Sequence, residues 1–224
     1  LLTGEILLNL DTEEDDEIDI GCAGGIDVTA SASYQLTTTS PNFVKIDIKG
    51  LQGGHSGMDI HKGFGNSNVI LGRLLYTGID NEIQLISIDG GGLRNAIPRE
   101  AHAVVSVKNV EEFLQKLETL KTEILEEFTS IEKDLSISFE KTSASEQGLS
   151  TEDSKKIILA LKSAHNGVYR MSPDVENLVE TSNNIARVEL KNGELKIMNL
   201  SRSSVDSSKM AVAEQLKSVF ELAD

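Results

Sequence analysis

The feature that most constrains this fold is the order in which two hydrophobic periods alternate along the chain. In residues 42–49 every second side chain is apolar, with Val44, Ile46 and Ile48 separated by charged residues. In residues 110–130 the apolar side chains instead recur at helical spacing. The first spacing is typical of a strand with one solvated face, and the second is typical of an amphipathic helix.

The order of these patterns predicts β-β-α-β-β-α-β for the first part of the chain. This order predicts an α+β fold, in which an antiparallel sheet of the ferredoxin-like kind carries helices on one face. The predicted strands are residues 27–36, 42–49, 83–88, 101–108 and 135–139, and the predicted helices are residues 62–77 and 110–130.

A second half with a similar order of elements follows a polar, turn-like linker at residues 142–150. It consists of a helix, a hairpin that turns at Lys191-Asn192-Gly193, and a last helix at residues 205–222. The two halves share this order without any sequence repeat. The second half lacks a closing strand, so we expect it to be incomplete.

The first residues of the chain differ from the rest of it. Residues 5–11 form a short apolar run that ends at Asp11, as in a buried strand, and such a strand needs neighbours. The glycine-rich residues 21–25 predict a hinge or domain boundary. We therefore expect three parts, residues 1–25, 26–141 and 142–224, in a fragment of a longer protein. A complete small protein is the alternative.

Composition excludes several classes of function. Asp and Glu total 36 against 21 Lys and Arg, and the formal charge of −15 makes nucleic acid or an anionic membrane surface a poor partner. No apolar run approaches the roughly 18 residues of a spanning helix. The single cysteine, Cys22, excludes a disulfide framework and a cysteine-rich zinc module. We expect a cytoplasmic protein.

Two residues are candidates for chemistry on their position alone. Asp11 ends a buried strand, where α/β enzymes place ligands, but zinc needs further ligands beside it, and a solvated acidic turn is the alternative. His55 lies between Gly54 and Gly57 in a loop that a ligand could approach closely. Its imidazole could stabilise an oxyanion, and a tight structural turn is the alternative.

Two further residues could bind a substrate. Asn95 lies in a constrained loop before Pro98, where its amide could donate to a developing negative charge or could satisfy its own loop. Arg202 follows the predicted hairpin, and a guanidinium binds carboxylates in a bidentate manner. A surface charge is the alternative for Arg202.

Six segments of the sequence carry a resemblance to a known family. They are residues 8–14 (LNLDTEE), 21–27 (GCAGGID), 50–57 (GLQGGHSG), 93–101 (LRNAIPREA), 166–168 (NGV) and 179–183 (VETSN). Together these segments resemble the bacterial aminoacyl-histidine dipeptidases, also called Xaa-His or β-alanyl-histidine dipeptidases. This family belongs to the di-zinc peptidases, with carnosinases and G-type carboxypeptidases. The GGHSG loop marks that wider group, and the second and fourth segments narrow the resemblance to the dipeptidase.

The resemblance implies a catalytic domain that holds two zinc ions and an inserted lid domain. Residues 1–25 then match the end of the catalytic domain, residues 26–141 the first half of the lid, and residues 142–224 a truncated second half. A dipeptide and the rest of the catalytic domain are the implied partners, and the lid could also form a homodimer. The alternatives are a stand-alone dimerisation or interaction module and, less favoured, a ligand-binding domain without a peptidase parent.

The resemblance also implies a role for each candidate residue. Asp11 matches a terminal zinc ligand, and His55 matches the lid histidine that contacts the substrate carbonyl and the transition state. Asn95 matches a residue that helps to hold the substrate, and Arg202 matches the arginine that binds its C-terminal carboxylate. The family's other zinc ligands and its general base have no counterpart in this chain. We therefore expect the chain alone to be inactive.

Overall fold

The structure is a computed structural model that describes residues 22–144 and 146–223. The ten strands within these residues are β1 Gly24–Ser33, β2 Thr37–Thr38, β3 Phe43–Lys49, β4 Gln84–Gly91, β5 Ala101–Ser106, β6 Ser136–Thr142, β7 Gln147–Gly148, β8 Gly167–Met171, β9 Val179–Lys191 and β10 Glu194–Ser203. The four α-helices within them are α1 Ser67–Tyr76, α2 Val110–Phe128, α3 Thr151–Ser163 and α4 Asp206–Glu221.

One antiparallel sheet of eight strands carries the fold. Seven of its strands follow one another in the order β1-β10-β9-β4-β5-β3-β6. The eighth strand, β8, pairs with β9. The two-residue strands β2 and β7 form a separate pair. The predicted α+β class is confirmed, with an antiparallel sheet and four α-helices within the described residues.

The first half of the sheet has the ferredoxin-like strand order. Its strands run β6-β3-β5-β4 across the sheet, which is the order 4-1-3-2 of a β-α-β-β-α-β unit. Val44, Ile46 and Ile48 of β3 have no exposed surface and lie in the same core as Phe113 and Leu117 of α2. The alternation seen in the sequence therefore places one face of the strand against the helices.

The helix predicted at residues 62–77 begins later than its apolar spacing indicates. A short 3-10 helix, Ile60–Lys62, ends at Gly63, and α1 begins at Ser67. Asn66 caps α1, because its side chain accepts hydrogen bonds from the backbone N–H groups of Asn68 and Val69.

The position of β1 differs from the sequence prediction. We expected this strand to stand with the first half, but it pairs with β10 along its whole length, from Gly24 opposite Ser203 to Ser33 opposite Glu194. The alternating pattern indicates a strand without indicating its partner. The second half of the sheet therefore has the order β1-β10-β9. Its outer strand among the described residues, β1, comes from the beginning of the chain rather than from the second half of the sequence.

The two halves join through β4 and β9. These strands pair from Ile88 opposite Leu190 to Gly91 opposite Arg187, and a single hydrophobic core runs beneath both halves. The sequence analysis missed β8, which begins within the NGV segment and is mostly exposed. Within the described residues, no helix is long and apolar enough to cross a membrane.

Candidate functional site

The loop between β3 and α1 fixes the backbone of His55. The His55 N–H donates to Asp59 Oδ2 at 2.7 Å, and Lys62 Nζ donates to Asp59 Oδ1, also at 2.7 Å. Gly54 has a φ of +147°, and a Cβ atom there would lie 2.8 Å from Asp59 Oδ2. The glycine is needed because any side chain would displace the carboxylate that holds His55.

The charge on Asp59 is stabilised in this loop. The Lys62 ammonium, followed by the His55 backbone N–H, holds the pKa of the Asp59 carboxyl below its ordinary value. Asp59 therefore remains an ionised acceptor for the His55 N–H at neutral pH. Sequence reasoning missed this residue, although a carboxylate shortly after His55 in the same loop was a usable signal.

Hydrogen bonds to the imidazole fix which of its nitrogens can donate. Nδ1 of His55 faces the backbone N–H groups of Gly57 at 3.3 Å and Met58 at 3.2 Å. A backbone N–H can only donate, so Nδ1 must be the acceptor and the ring hydrogen lies on Nε2. The ring is thus held with an Nε2–H group that can donate to the carbonyl oxygen of a ligand.

The loop that contains Asn95 pairs with the His55 loop. Ser56 N–H donates to the Asn95 carbonyl at 2.8 Å, and Ile97 N–H donates to the Gly54 carbonyl at 2.8 Å. His55 and Ala96 stand opposite each other as an isolated β-bridge. The structure therefore brings Asn95, whose side chain is exposed, next to His55.

Arg202 of β10 lies beside the same loop. A Cβ atom on Gly57 would be 3.2 Å from Arg202 Cδ and 3.3 Å from His55 Cε1, so both side chains pack against the bare face of this glycine. Arg202 Nε is buried and has no hydrogen-bond partner among the described residues. A buried donor without a partner is costly, so the Arg202 Nε–H group is available to an acceptor that enters the site. His55, Asn95 and Arg202, predicted from distant segments, thus form one cluster.

A buried carboxylate, which sequence reasoning missed, holds both ends of the loop that contains His55. Glu132 is 5% exposed, and its two oxygens accept the N–H groups of Gln52 and Gly65, both at 2.7 Å. These residues stand at the two ends of the segment that contains His55. Glu132 therefore ties the entry and the exit of the His55 loop together.

The described residues do not fit a zinc site. Within residues 22–144 and 146–223, no three His, Cys, Asp or Glu side chains come close enough together to hold a metal ion. A zinc ion in a protein takes about four ligands, and at least three of them are such side chains. The predicted ligand Asp11 lies outside the described residues, so its role stays a prediction.

The chain is similar to a known protein family over part of its length and to known proteins over nearly all of it. Residues 44–135 match the family model of a peptidase dimerisation domain. The chain is 38% identical to cytosol non-specific dipeptidase of Escherichia coli strain K12, over 99% of the chain and 47% of that protein.

A solved structure is similar to the same extent. The crystal structure of aminoacylhistidine dipeptidase from Vibrio alginolyticus superposes with a TM-score of 0.90 at 36% identity, over 99% of this chain and 46% of that one. The chain thus spans about half the length of each relative. Residues 44–135 are similar to a peptidase dimerisation domain, and nearly the whole chain is similar to one part of these two dipeptidases.

Proposed function

We propose that this chain is the lid and substrate-binding portion of a zinc-dependent dipeptidase that hydrolyses Xaa-His dipeptides. The observation that carries the proposal is the pairing of two different binding groups across Gly57. His55 presents an Nε2–H donor, and Arg202 presents a buried guanidinium N–H without a partner among the described residues. A dipeptide offers a matching carbonyl oxygen and a C-terminal carboxylate a short distance apart.

Each group has a distinct part in this proposal. The His55 Nε2–H donates to the scissile carbonyl and stabilises the oxyanion as charge develops, which is worth most in a water-excluded site. Arg202 binds the C-terminal carboxylate and sets the register of the substrate. Asn95 donates to the substrate from the loop next to His55. These are the roles that the sequence resemblance implies.

The metal belongs to the proposal but not to the described residues. Two zinc ions per parent enzyme, with Asp11 as one ligand, are what the family resemblance implies. The described residues would serve the substrate rather than the metal, so this chain alone is expected to be inactive. The cytoplasm is the proposed location.

The test is hydrolysis of β-alanyl-histidine with added zinc, by this chain and by the whole protein that contains it. We expect activity only in the whole protein, with a loss on the order of 100-fold or more for His55→Ala, as for removal of an oxyanion donor. His61→Ala is the matched control, because His61 is an exposed histidine in the same segment. Activity in the 224-residue chain by itself would contradict the proposal.

The role of Arg202 has its own readout. Arg202→Ala should raise KM for a dipeptide with a free carboxylate and should change KM little for the corresponding C-terminal amide, which lacks the charge. An equal effect on both substrates would mean that Arg202 does not bind the carboxylate.

A stand-alone dimerisation module is the second candidate. Two observations favour it: the match to a peptidase dimerisation domain, and an apolar cleft of about 580 Å³ between β1 and α4, at the outer edge of β1. Exposed strand edges pair readily with other chains. Against it, β4 and β9 already join two halves edge to edge within one chain. Sedimentation at micromolar concentration separates the two: a lid that pairs internally should be a monomer, and a pairing module should be a dimer.

A further inference from the structure

A buried asparagine from the second half of the sheet holds the loop that contains Asn95. Asn184 of β9 has no exposed surface. Its Nδ2 donates to the Arg94 carbonyl at 3.1 Å and to the Ala96 carbonyl at 2.8 Å. These two carbonyls flank Asn95, so the side chain of Asn184 grips the loop on both sides of a proposed substrate-binding residue.

The orientation of the Asn184 amide is fixed from its other end. Its Oδ1 accepts a hydrogen bond from Asn66 Nδ2 at 3.2 Å. Asn66 also caps α1 and donates to Asn166 Oδ1 at 3.0 Å, and Asn166 Oδ1 accepts the Ile185 N–H at 2.9 Å. Such a network has one arrangement, because carbonyl oxygens can only accept and backbone N–H groups can only donate.

The far side of the loop is attached to β1. Arg94 donates to Thr29 Oγ1 at 3.0 Å and lies 3.1 Å from the Asp27 carboxylate. Asp27 stands opposite Leu200 in the strand that carries Arg202. The Asn95 loop therefore belongs to the first half of the sequence, but its side-chain hydrogen bonds and ion pair connect it to β1 and β9 in the second half of the sheet.

The consequence concerns the spacing of the two binding groups. The Asn95 loop is bridged to the His55 loop, while Arg202 comes from β10. Asn184 is a buried residue that links the Asn95 loop directly to β9, the strand next to β10. We propose that Asn184 is a positioning residue that sets the distance between the carbonyl-binding group His55 and the carboxylate-binding group Arg202. This inference rests on the proposed dipeptidase function.

The experiment compares Asn184→Ala with Asn81→Ala in the whole protein. Asn81 is a matched control because it is 3% exposed and its Nδ2 also donates to a backbone carbonyl, that of Asn109, at the opposite end of β4. Displacement of a binding group by about 1 Å can cost on the order of 100-fold in rate. We expect kcat to fall by about that factor in Asn184→Ala only.

The preference of the enzyme between two substrates is a measurement that loss of stability alone would not change. The preference for a free dipeptide over its C-terminal amide depends on simultaneous contact with His55 and Arg202. We expect this preference, measured as a ratio of kcat/KM values, to shrink in Asn184→Ala and to stay at its original value in Asn81→Ala. If Asn184→Ala does not fold, Asn184→Ser is measured instead, because its hydroxyl is too short to reach both carbonyls.

Amide hydrogen exchange in the 224-residue chain tests the link to the loop without catalysis. Exchange at the Ala96 and Ile97 N–H groups should accelerate in Asn184→Ala and not in Asn81→Ala. Unchanged kcat and preference in Asn184→Ala would overturn the inference, as would an equal loss in both variants. If the unsubstituted whole protein hydrolyses no dipeptide, the proposed function is wrong, and the proposed role of Asn184 in catalysis is wrong as well. The exchange rates then still decide whether Asn184 holds the loop.

Discussion

Replacement of Glu132 by glutamine should loosen the segment that contains His55. The carboxylate of Glu132 accepts one backbone N–H with each oxygen, from Gln52 and from Gly65. An amide keeps one acceptor oxygen and turns an NH₂ group toward the other N–H, so one hydrogen bond is lost and two donors face each other. The side chain is 5% exposed, so water cannot easily repair the loss.

The expected cost follows from this geometry. A hydrogen bond to a charged group contributes roughly 1.5–3 kcal/mol, and a buried donor left without a partner costs a similar amount. We expect Glu132→Gln to lower the free energy of unfolding by about 2–3 kcal/mol. For a chain of this size each kcal/mol corresponds to roughly 2–4 °C in Tm, which predicts a decrease of about 4–12 °C.

Thermal unfolding followed by circular dichroism measures this change. Glu82→Gln is the matched control, since the Glu82 side chain is 59% exposed and forms an ion pair with Lys108 at the surface. Surface pairs of this kind contribute little, so the control should unfold at the original temperature. If Glu132→Gln unfolds at the same temperature as the control, the two hydrogen bonds do not hold the loop and the reasoning is refuted.

Two further predictions concern the core and the response to acid. Phe113 is fully buried, and Phe113→Ala should cost about 3–5 kcal/mol in urea unfolding; a cost below about 1 kcal/mol would contradict the packing described. The lowered pKa of Asp59 should stabilise the fold above the ordinary carboxyl pKa, near pH 4, and this stability should disappear as the pH falls toward the folded-state pKa. Free energies of unfolding measured between about pH 5 and pH 2 should therefore fall less steeply for Asp59→Asn, and parallel curves would exclude the effect.

The sequence predicts most local elements well, because the hydrophobic period is a local signal. The alternation of Val44, Ile46 and Ile48 places β3 correctly, and the helix at Val110–Phe128 lies within two residues of its prediction. The partner of β1 is a long-range choice that no local pattern contains. β8 was missed because its five residues are at most half-buried and show no alternation.

The candidate site was predictable in part for the same reason. The glycines around His55 are a local signal, and so is the constrained loop of Asn95. That Arg202 would lie against Gly57 depends on the packing of two distant segments. Asn184 belongs to a polar run inside a predicted strand, and the burial of its side chain is visible only once the loop of Asn95 covers it.

The pairing of β1 with β10 has a consequence for the order of folding. Ser33 and Glu194, joined at one end of this pair, stand 161 residues apart in the chain, whereas β9 and β10 meet across a tight turn at Asn192 and Gly193. Closing the longer loop costs more chain entropy, so the hairpin can form early and β1 can dock only on a finished hairpin. During synthesis on the ribosome, β1 emerges before every other strand described and is then among the last to find its partner. Its edge must wait unpaired in the meantime, so its pairing is the step most exposed to misassociation between nascent chains.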